Sequence, residues 1–255
     1  MHRFFVSQSN IDVAGRRVVI TGDDVNHIKN VLRLKSGEEL DACAEDGKIY
    51  RCIIESVERE LVVCSLSFIK EADCELCCGI YLFQGLPKGD KMDLIVQKAV
   101  ELGVKEIIPV ECARSVVKLD DKKAAKKQER WQQIAKGAAE QAGRAYVPQV
   151  KMPVTMKEAA AMASGADVKL IPYEMASSQG HGMDETRAIF SALKPGQDIA
   201  VFIGPEGGFE DSEVELCGSS GIEKITLGRR ILRTETAGLT VLSWIVLMLE
   251  GREEQ

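Results

Sequence analysis

Histidine is nearly absent from this chain: among 255 residues only His2, His27 and His181 carry an imidazole. No Gly-x-Ser-x-Gly or other triad pattern accompanies them, so a hydrolase is the poorest reading. A positive charge excess is missing as well. Lys and Arg total 33 against 39 Asp and Glu, giving a net charge of −6 and a pI near 5.3. That balance argues against an indiscriminate nucleic-acid binder, and any such partner has to be met by a local basic face. Long apolar runs are missing too. The longest near the end, Val241 to Leu249, is far too short to cross a bilayer. The opening "MHRFFVSQSNID" soon turns polar, so no signal peptide or anchor is expected and a cytoplasmic location is. Neither G-x-G-x-x-G nor a P-loop occurs, and there are no repeats or low-complexity tracts.

Cysteine is plentiful by comparison, with 8 in the chain, all expected as reduced thiols. Cys74 and Cys77 form one CxxC beside Cys78. A closed zinc site needs a second such pair or a paired histidine motif, and neither follows, so no metal is expected. The apolar fraction of 45% and charged fraction of 28% are those of a globular chain with room for two modest domains.

Residues 1–72 read as a small β-barrel-like domain. Polar–apolar alternation runs through Arg17 to Ile20, Glu39 to Cys43, Lys48 to Ile54 and Glu60 to Leu66, with Gly15, Gly22, Gly37 and Gly47 at the turns. One helix interrupts, capped by Asp23 or Asp24, with Val25, Ile28, Val31 and Leu32 at helical spacing. Past a boundary at Phe68 to Cys78, the period changes over residues 73–255. β and α segments alternate, which predicts a mostly parallel sheet with helices on both faces. Among the helices are Lys91 to Leu102, ended by Gly103, one from about Asp120 to Gly143, and Thr234 to Leu249.

Two glycine-centred turns dominate the second part. Ile203-Gly204-Pro205-Glu206-Gly207-Gly208-Phe209 follows the apolar run Ile199 to Ile203. Leu227-Gly228-Arg229-Arg230-Ile231-Leu232-Arg233-Thr234-Glu235-Thr236-Ala237 follows Ile222 to Leu227. Both runs read as buried parallel strands, expected to be neighbours, and loops at the carboxyl ends of such strands are where ligands bind. Glycine lets the backbone approach a ligand and take φ > 0.

These turns, with "HRFF" at the start, "HIKNVLRLKSGEEL" (His27 to Leu40), "KGDKMDLIVQKAVELGV" (Lys88 to Val104), "RW" at Arg130 and "AAEQAGR" (Ala138 to Arg144), resemble the ribosomal RNA small-subunit methyltransferase E family of the SPOUT group. The resemblance implies an α/β fold: a PUA-like RNA-contacting domain, then a methyltransferase domain whose chain from about Pro172 onward forms a trefoil knot. It implies S-adenosylmethionine as cofactor and methylation of uridine N3 in 16S ribosomal RNA, naked or in the assembled small subunit. It also implies a homodimer, and the last helix, apolar on more than one face, agrees with wide burial.

Uridine N3 carries a proton at neutral pH, and its loss spreads charge over two carbonyl oxygens. A base, or cations aimed at that charge, therefore helps, and positioning supplies much of the rest. Three segments match the family's cofactor cradle: Leu170, Pro172 and Tyr173; Ile203, Gly204, Pro205, Glu206 and Gly208; then Leu227, Gly228, Ile231 and Leu232 with Arg233, Thr234 and Ala237. Apolar Ile203, Leu227, Ile231 and Leu232 are expected against adenine, and Glu206 and Glu174 against either ribose or sulfonium. Arg233 and Arg144 are the expected cations at the reacting uridine, with Glu140 beside Arg144 at helical i,i+4 spacing. Arg3, Arg33, Lys88 and Arg114 are the expected RNA contacts, and the lysine-rich helix face from Lys122 to Lys127 is either a phosphate surface or solvated. Glu235 is either near the reaction or a capping-box carboxylate. Two rivals stand beside this reading: the same fold acting on transfer RNA, and a non-catalytic RNA-binding assembly factor.

Overall fold

The structure, a computed structural model, describes residues 1–44, 46–176 and 182–251; His181 lies outside them. The chain forms two compact units. One comprises Met1–Glu75 with Ala139–Val147, and the other Leu76–Ala138 with the chain from Pro148 on.

The first unit is a six-stranded sheet. Its strands are β1 (Arg3–Phe5), β2 (Ile11–Asp12), β3 (Arg17–Thr21), β4 (Glu39–Cys43), β5 (Lys48–Val57) and β6 (Leu61–Glu71), in the order β1-β4-β5-β6-β3-β2. Side chains alternate across a strand, so Val18 and Ile20, then Tyr50, Cys52 and Ile54, then Val62, Cys64 and Leu66 reach one core. Two register shifts between β5 and β6 bend this ribbon.

The helix departs from expectation. α1 (Asp23–Asn26) runs directly into a wider π-turn, His27–Leu32, closed by Arg33 at φ 57°. The extra residue per turn rotates Val31 out of the apolar face, leaving it 63% exposed while Val25 and Ile28 are buried. Neither aspartate is the cap: that position is Gly22, and Asp23 and Asp24 sit in the first turn, where the helix dipole favours them. The His27 ring meets Phe4 edge-on.

The second unit is a seven-stranded sheet, every pairing of which is parallel. It is built from β7 (Gly79–Gly85), β8 (Glu106–Glu111), β9 (Gln149–Val150), β10 (Val154–Thr155), β11 (Val168–Pro172), β12 (Asp198–Ile203) and β13 (Glu223–Ile225). The main path is β10-β8-β7-β12-β11-β13, with β9 also on β8. Between the strands run α2 (Lys91–Glu101), α3 (Asp121–Ala142), α4 (Met156–Met162), α5 (Met183–Ser191), α6 (Asp211–Ser219) and α7 (Thr234–Leu249). One face of the sheet presents Phe83, Ile108, Ala200 and Phe202, and these pack with Met156 and Ala159 of α4 and Val214 and Cys217 of α6. The alternate residues Leu82, Ile107, Ile199 and Val201 are fully buried as well, so both faces are covered, as a parallel sheet requires.

The strands leading to the two glycine turns are not neighbours. β11 lies between β12 and β13, which brings its own turn, from Pro172, between theirs. β13 is also shorter than the apolar run suggested.

All 8 cysteines are free. Burial pushes the thiols of Cys43, Cys52, Cys64, Cys112 and Cys217 up to about 12. Only thiolates react with disulfide reagents. Titration of the folded protein at pH 8 should therefore release exposed Cys74 fastest, half-buried Cys77 and Cys78 more slowly, and the buried five only with denaturant. Fast release from several buried positions would contradict this packing.

Candidate active site

The turns after β11, β12 and β13, together with the start of α7, enclose a cavity of about 700 Å³. That lies within the range of roughly 300–1,000 Å³ usual for small-molecule sites. Pro172, Tyr173, Glu174 and Met175 form one wall, Ile203 to Phe209 the second, and Thr226 to Thr234 with Ala237 the third.

Glycine shapes this backbone. Gly208 and Gly228 have φ of 69° and 98°, where side chains are strained. A Cβ on Gly204 would come within 3.3 Å of Gly208 main chain and of the Phe209 ring, so a side chain there would press the turn open by a few tenths of an ångström. The Gly208 N–H closes the turn by donating to the Pro205 carbonyl at 2.9 Å.

Buried polar groups hold the turns in place. Gln84, at the end of β7 and fully buried, donates through Nε2 to Thr234 Oγ1 at 2.9 Å. Thr234 in turn donates to the Gly204 carbonyl at 2.6 Å, tying the start of α7 to the β12 turn. Thr226 receives its own support: its N–H donates to Thr186 Oγ1 at 3.1 Å, and its Oγ1 accepts from the Gly228 N–H at 3.3 Å. Tyr173 donates its hydroxyl to Asp211 at 3.0 Å, and that bond, with burial, raises the phenol above its ordinary range.

Charge is organised at the edge. Lys91, at the start of α2, reaches Glu206 at 2.8 Å and Glu235 at 3.6 Å. Glu206 also accepts the Lys88 N–H at 3.1 Å. Burial pushes the Glu206 carboxyl up, yet Lys91 and these main-chain donors outweigh it and hold the group below its ordinary range. Glu206 and Glu235 are thus engaged with Lys91 at the cavity wall. Glu235 is not part of a capping box: the cap of α7 is Arg233, without a side-chain cap bond. Arg114, Arg229, Arg230 and Arg233 also line the cavity, all exposed, and Arg114 donates to the Gly207 carbonyl at 3.2 Å.

Of the residues expected to cradle a cofactor, every one except Leu170 lines this cavity. Leu170 is fully buried, pointing into the sheet's packing two residues before the wall begins. The expected reaction-site residues divide. Arg233 lines the cavity, but Arg144 and Glu140 do not. α3 ends at Ala142, Gly143 takes φ 71°, and Arg144 lies just beyond the helix. Arg144 is 3% exposed and holds Glu75 at 2.5 Å, within the first unit. Among the expected RNA contacts, Arg33, Lys88 and Arg114 are exposed. Arg3 is not: its guanidinium donates to the carbonyls of Gly143 and, at 2.9 Å, Arg144, and lies 3.6 Å from Asp41. Lys91, Gln84, Arg229 and Arg230 are participants that sequence reasoning did not single out, although the arginines stood within the second turn.

Parallel strands, glycine turns gathered at their carboxyl ends and four arginines in the lining outline a site of small-molecule size. Two family models match the chain: an RNA methyltransferase domain over residues 74–246 and an RNA methyltransferase PUA domain over residues 20–67. The chain belongs to this family of RNA methyltransferases. It is 40% identical to ribosomal RNA small subunit methyltransferase E of Bacillus subtilis over 98% of each chain. Among solved structures it resembles the Neisseria gonorrhoeae ribosomal RNA small subunit methyltransferase E bound to S-adenosyl methionine, at 30% identity and TM-score 0.84 over 98% of both chains. A putative methyltransferase of Legionella pneumophila in complex with the same cofactor superposes at TM-score 0.82 and 32% identity, over 97% of this chain and 98% of that one.

Proposed function

We propose that this protein uses S-adenosylmethionine to methylate N3 of a uridine in small-subunit ribosomal RNA. The observation that carries the proposal is the cavity itself. Three turns, two of them shaped by glycine, present main-chain groups and apolar Ile203, Leu227, Ile231 and Leu232 to a nucleoside-sized ligand, beneath a rim of arginines. Relatives at 30% and 32% identity hold S-adenosyl methionine.

In this reading Ile203, Leu227 and Leu232 flank adenine, and main-chain groups from Gly204 to Gly208 and around Gly228 read its edge and the ribose. Glu206 fixes the wall through Lys91 rather than binding the cofactor directly. When bound, S-adenosylmethionine supplies an electrophilic methyl on a sulfonium. Arg233, at the mouth, sits where a cation stabilises the negative charge that uridine develops as N3 loses its proton. Arg144 and Glu140 are given no part in the chemistry, because the Arg144 guanidinium is held by Glu75. Arg33, Lys88, Arg114, Arg229 and Arg230 face RNA phosphates. Residues 1–72 act as the PUA-like domain and 73–255 as the methyltransferase domain, with the trefoil from about Pro172.

A homodimer is part of the proposal. Leu94 on α2 and Leu247 on α7 are 43% and 78% exposed, on two helices that pack together. Sedimentation at micromolar concentration should give twice the chain mass of 28.0 kDa, and a monomer would remove this element. Among the described residues no helix is long and apolar enough to cross a membrane.

Each phosphate contact on a single strand contributes about −0.7 to the log–log salt slope of binding. Replacing Arg229 and Arg230 together by alanine should make the slope shallower by about 1.4. An unchanged slope would remove both from the RNA surface. The function itself is tested by methyl transfer to small ribosomal subunits, with the modified nucleoside identified.

A further inference from the structure

Residues 114–130 carry 7 Lys and Arg against 3 Asp and Glu, in a chain whose net charge is −6. Positive charge is therefore gathered in this stretch while the rest of the chain is acidic. The stretch starts in the wall of the large cavity, where Arg114 donates to the Gly207 carbonyl at 3.2 Å. It continues through Lys118 into the first half of α3.

Helical spacing sorts the two sides of α3. Ala124, Trp131, Ala135 and Ala138 are buried. Lys122, Lys126 and Arg130, each one turn apart, stand on the opposite side and are exposed, as is Lys123. Lys123 pairs with Asp120 at 2.9 Å and Arg130 with Asp93 of α2. Lys118, Lys122 and Lys126, all exposed, make no ion pair among the described residues. Asp121 and Glu129 share the exposed surface and pair with none of them. Lys127 is set apart, half-buried in a hollow that Asp90 also lines.

The helix that carries these lysines is braced. Gln128 donates to the Val150 carbonyl, the Val150 N–H donates to Gln132, and Gln132 donates to the Pro148 carbonyl. A lysine row on a helix is ordinarily a solvated face whose charges are offset by neighbouring carboxylates. Here three cations lack such partners, and the row is tethered to the cavity. Four residues separate Lys118 from Arg114, a span of at most about 14 Å. Lys126 lies about 6 Å beyond Lys122 along the helix axis. A strand with one base in the cavity therefore has three fixed cations within reach of its following phosphates. Lysine suits that task, because its ammonium meets a phosphate as a point charge and needs no fixed plane.

We infer that the RNA strand leaving the large cavity lies along α3, with its phosphates on Lys118, Lys122 and Lys126. These contacts supply affinity and direction and read no sequence. The inference rests on the proposed reading of the protein as an RNA methyltransferase and adds the path of the strand outside the cavity.

The test compares the wild type with a triple variant, Lys118→Ala, Lys122→Ala and Lys126→Ala. Binding of a single-stranded RNA carrying the target uridine with long flanks is measured across a range of salt. Three lost phosphate contacts should make the log–log slope shallower by about 2.1. The KM for this RNA should rise on the order of tenfold at physiological salt. Both kcat at saturating RNA and affinity for S-adenosylmethionine should stay at wild-type values. Changing the same three residues to arginine should preserve the slope, since charge and not shape is at work. RNA cut back to the uridine and its immediate neighbours should bind the wild type and the triple alanine variant alike. Lys157→Ala with Lys194→Ala, two exposed lysines on α4 and after α5, should leave slope and KM unchanged.

A wild-type slope and KM in the triple alanine variant on the long RNA would overturn the inference and leave the enzymatic reading intact. An equal loss on the trimmed RNA would overturn it too, because the charge would then act at the cavity and not along a strand. A loss seen with assembled subunits but not with naked RNA would assign the face to a protein partner instead. Absence of methyl transfer to any RNA counts against the enzymatic reading, whereas the slope difference, read from binding alone, would still support the surface.

Discussion

Arg233→Ala should lower methyl transfer by about two orders of magnitude while leaving S-adenosylmethionine affinity within a few-fold of wild type. The split follows from where the residue sits. Arg233 is exposed at the cap of α7 and lines the cavity, yet among the described residues no hydrogen bond holding the turns runs through its side chain. The bonds that fix this corner belong to Thr234, which joins Gln84 to the Gly204 carbonyl. Removing the guanidinium therefore leaves the turns standing and, under the proposed function, removes positive charge where uridine's carbonyl oxygens become negative. A cation aimed at charge that develops only in the transition state acts on kcat and not on ground-state binding. Arg233→Lys keeps the charge but loses the planar fork, so partial recovery is expected. Loss of cofactor affinity with an unchanged rate for bound complex would show that Arg233 belongs to the cradle instead.

The second large effect is expected from Gly228→Val. Nothing lies within 4 Å of a Cβ built there, so the side chain itself has room. The backbone does not accept it: at φ 98° a β-branched residue is strained, and the turn must move to relieve it. Gly228 lies between Leu227 and the arginines, and its N–H bonds Thr226, so movement there displaces a whole wall. S-adenosylmethionine affinity should fall on the order of 100-fold, about 2.7 kcal/mol. Calorimetry on the variant checks this, with thermal unfolding to confirm that the fold survives. Gly165→Ala is the comparison, since Gly165 also has free space but no positive φ, and affinity should not change. Equal losses in both variants would point to general destabilisation.

Much of the site was legible because it is local. A glycine turn after an apolar run announces both a strand end and a backbone conformation, and the turns of β12 and β13 contain most of the cavity wall. Strand order was not legible in the same way. Runs Ile199 to Ile203 and Ile222 to Leu227 looked like neighbours because they follow one another in sequence, whereas β11 lies between them. The residues that brace the site were hidden for a related reason. Gln84 meets Thr234 across 150 positions, and Lys88 meets Glu206 across 118, so no short-range pattern marks them.

Charge was the other source of misdirection. Arg3 and Arg144 look like surface cations in a list of basic residues, but each is folded inward onto carbonyls or a carboxylate of the first unit. A buried arginine and a phosphate-binding arginine have the same letter and differ only in their surroundings. Leu170 shows the converse problem for apolar residues. Strand alternation places it in the core while Pro172 and Tyr173, just beyond, reach the cavity.

The central claim is tested most directly by incubating the protein with labelled S-adenosylmethionine and small ribosomal subunits from cells lacking it, then identifying the product nucleoside by mass spectrometry. The account predicts label in the small-subunit RNA as N3-methyluridine, and none there with Arg233→Ala on the same time scale. Label confined to transfer RNA, or carried on an atom other than uridine N3, would contradict it.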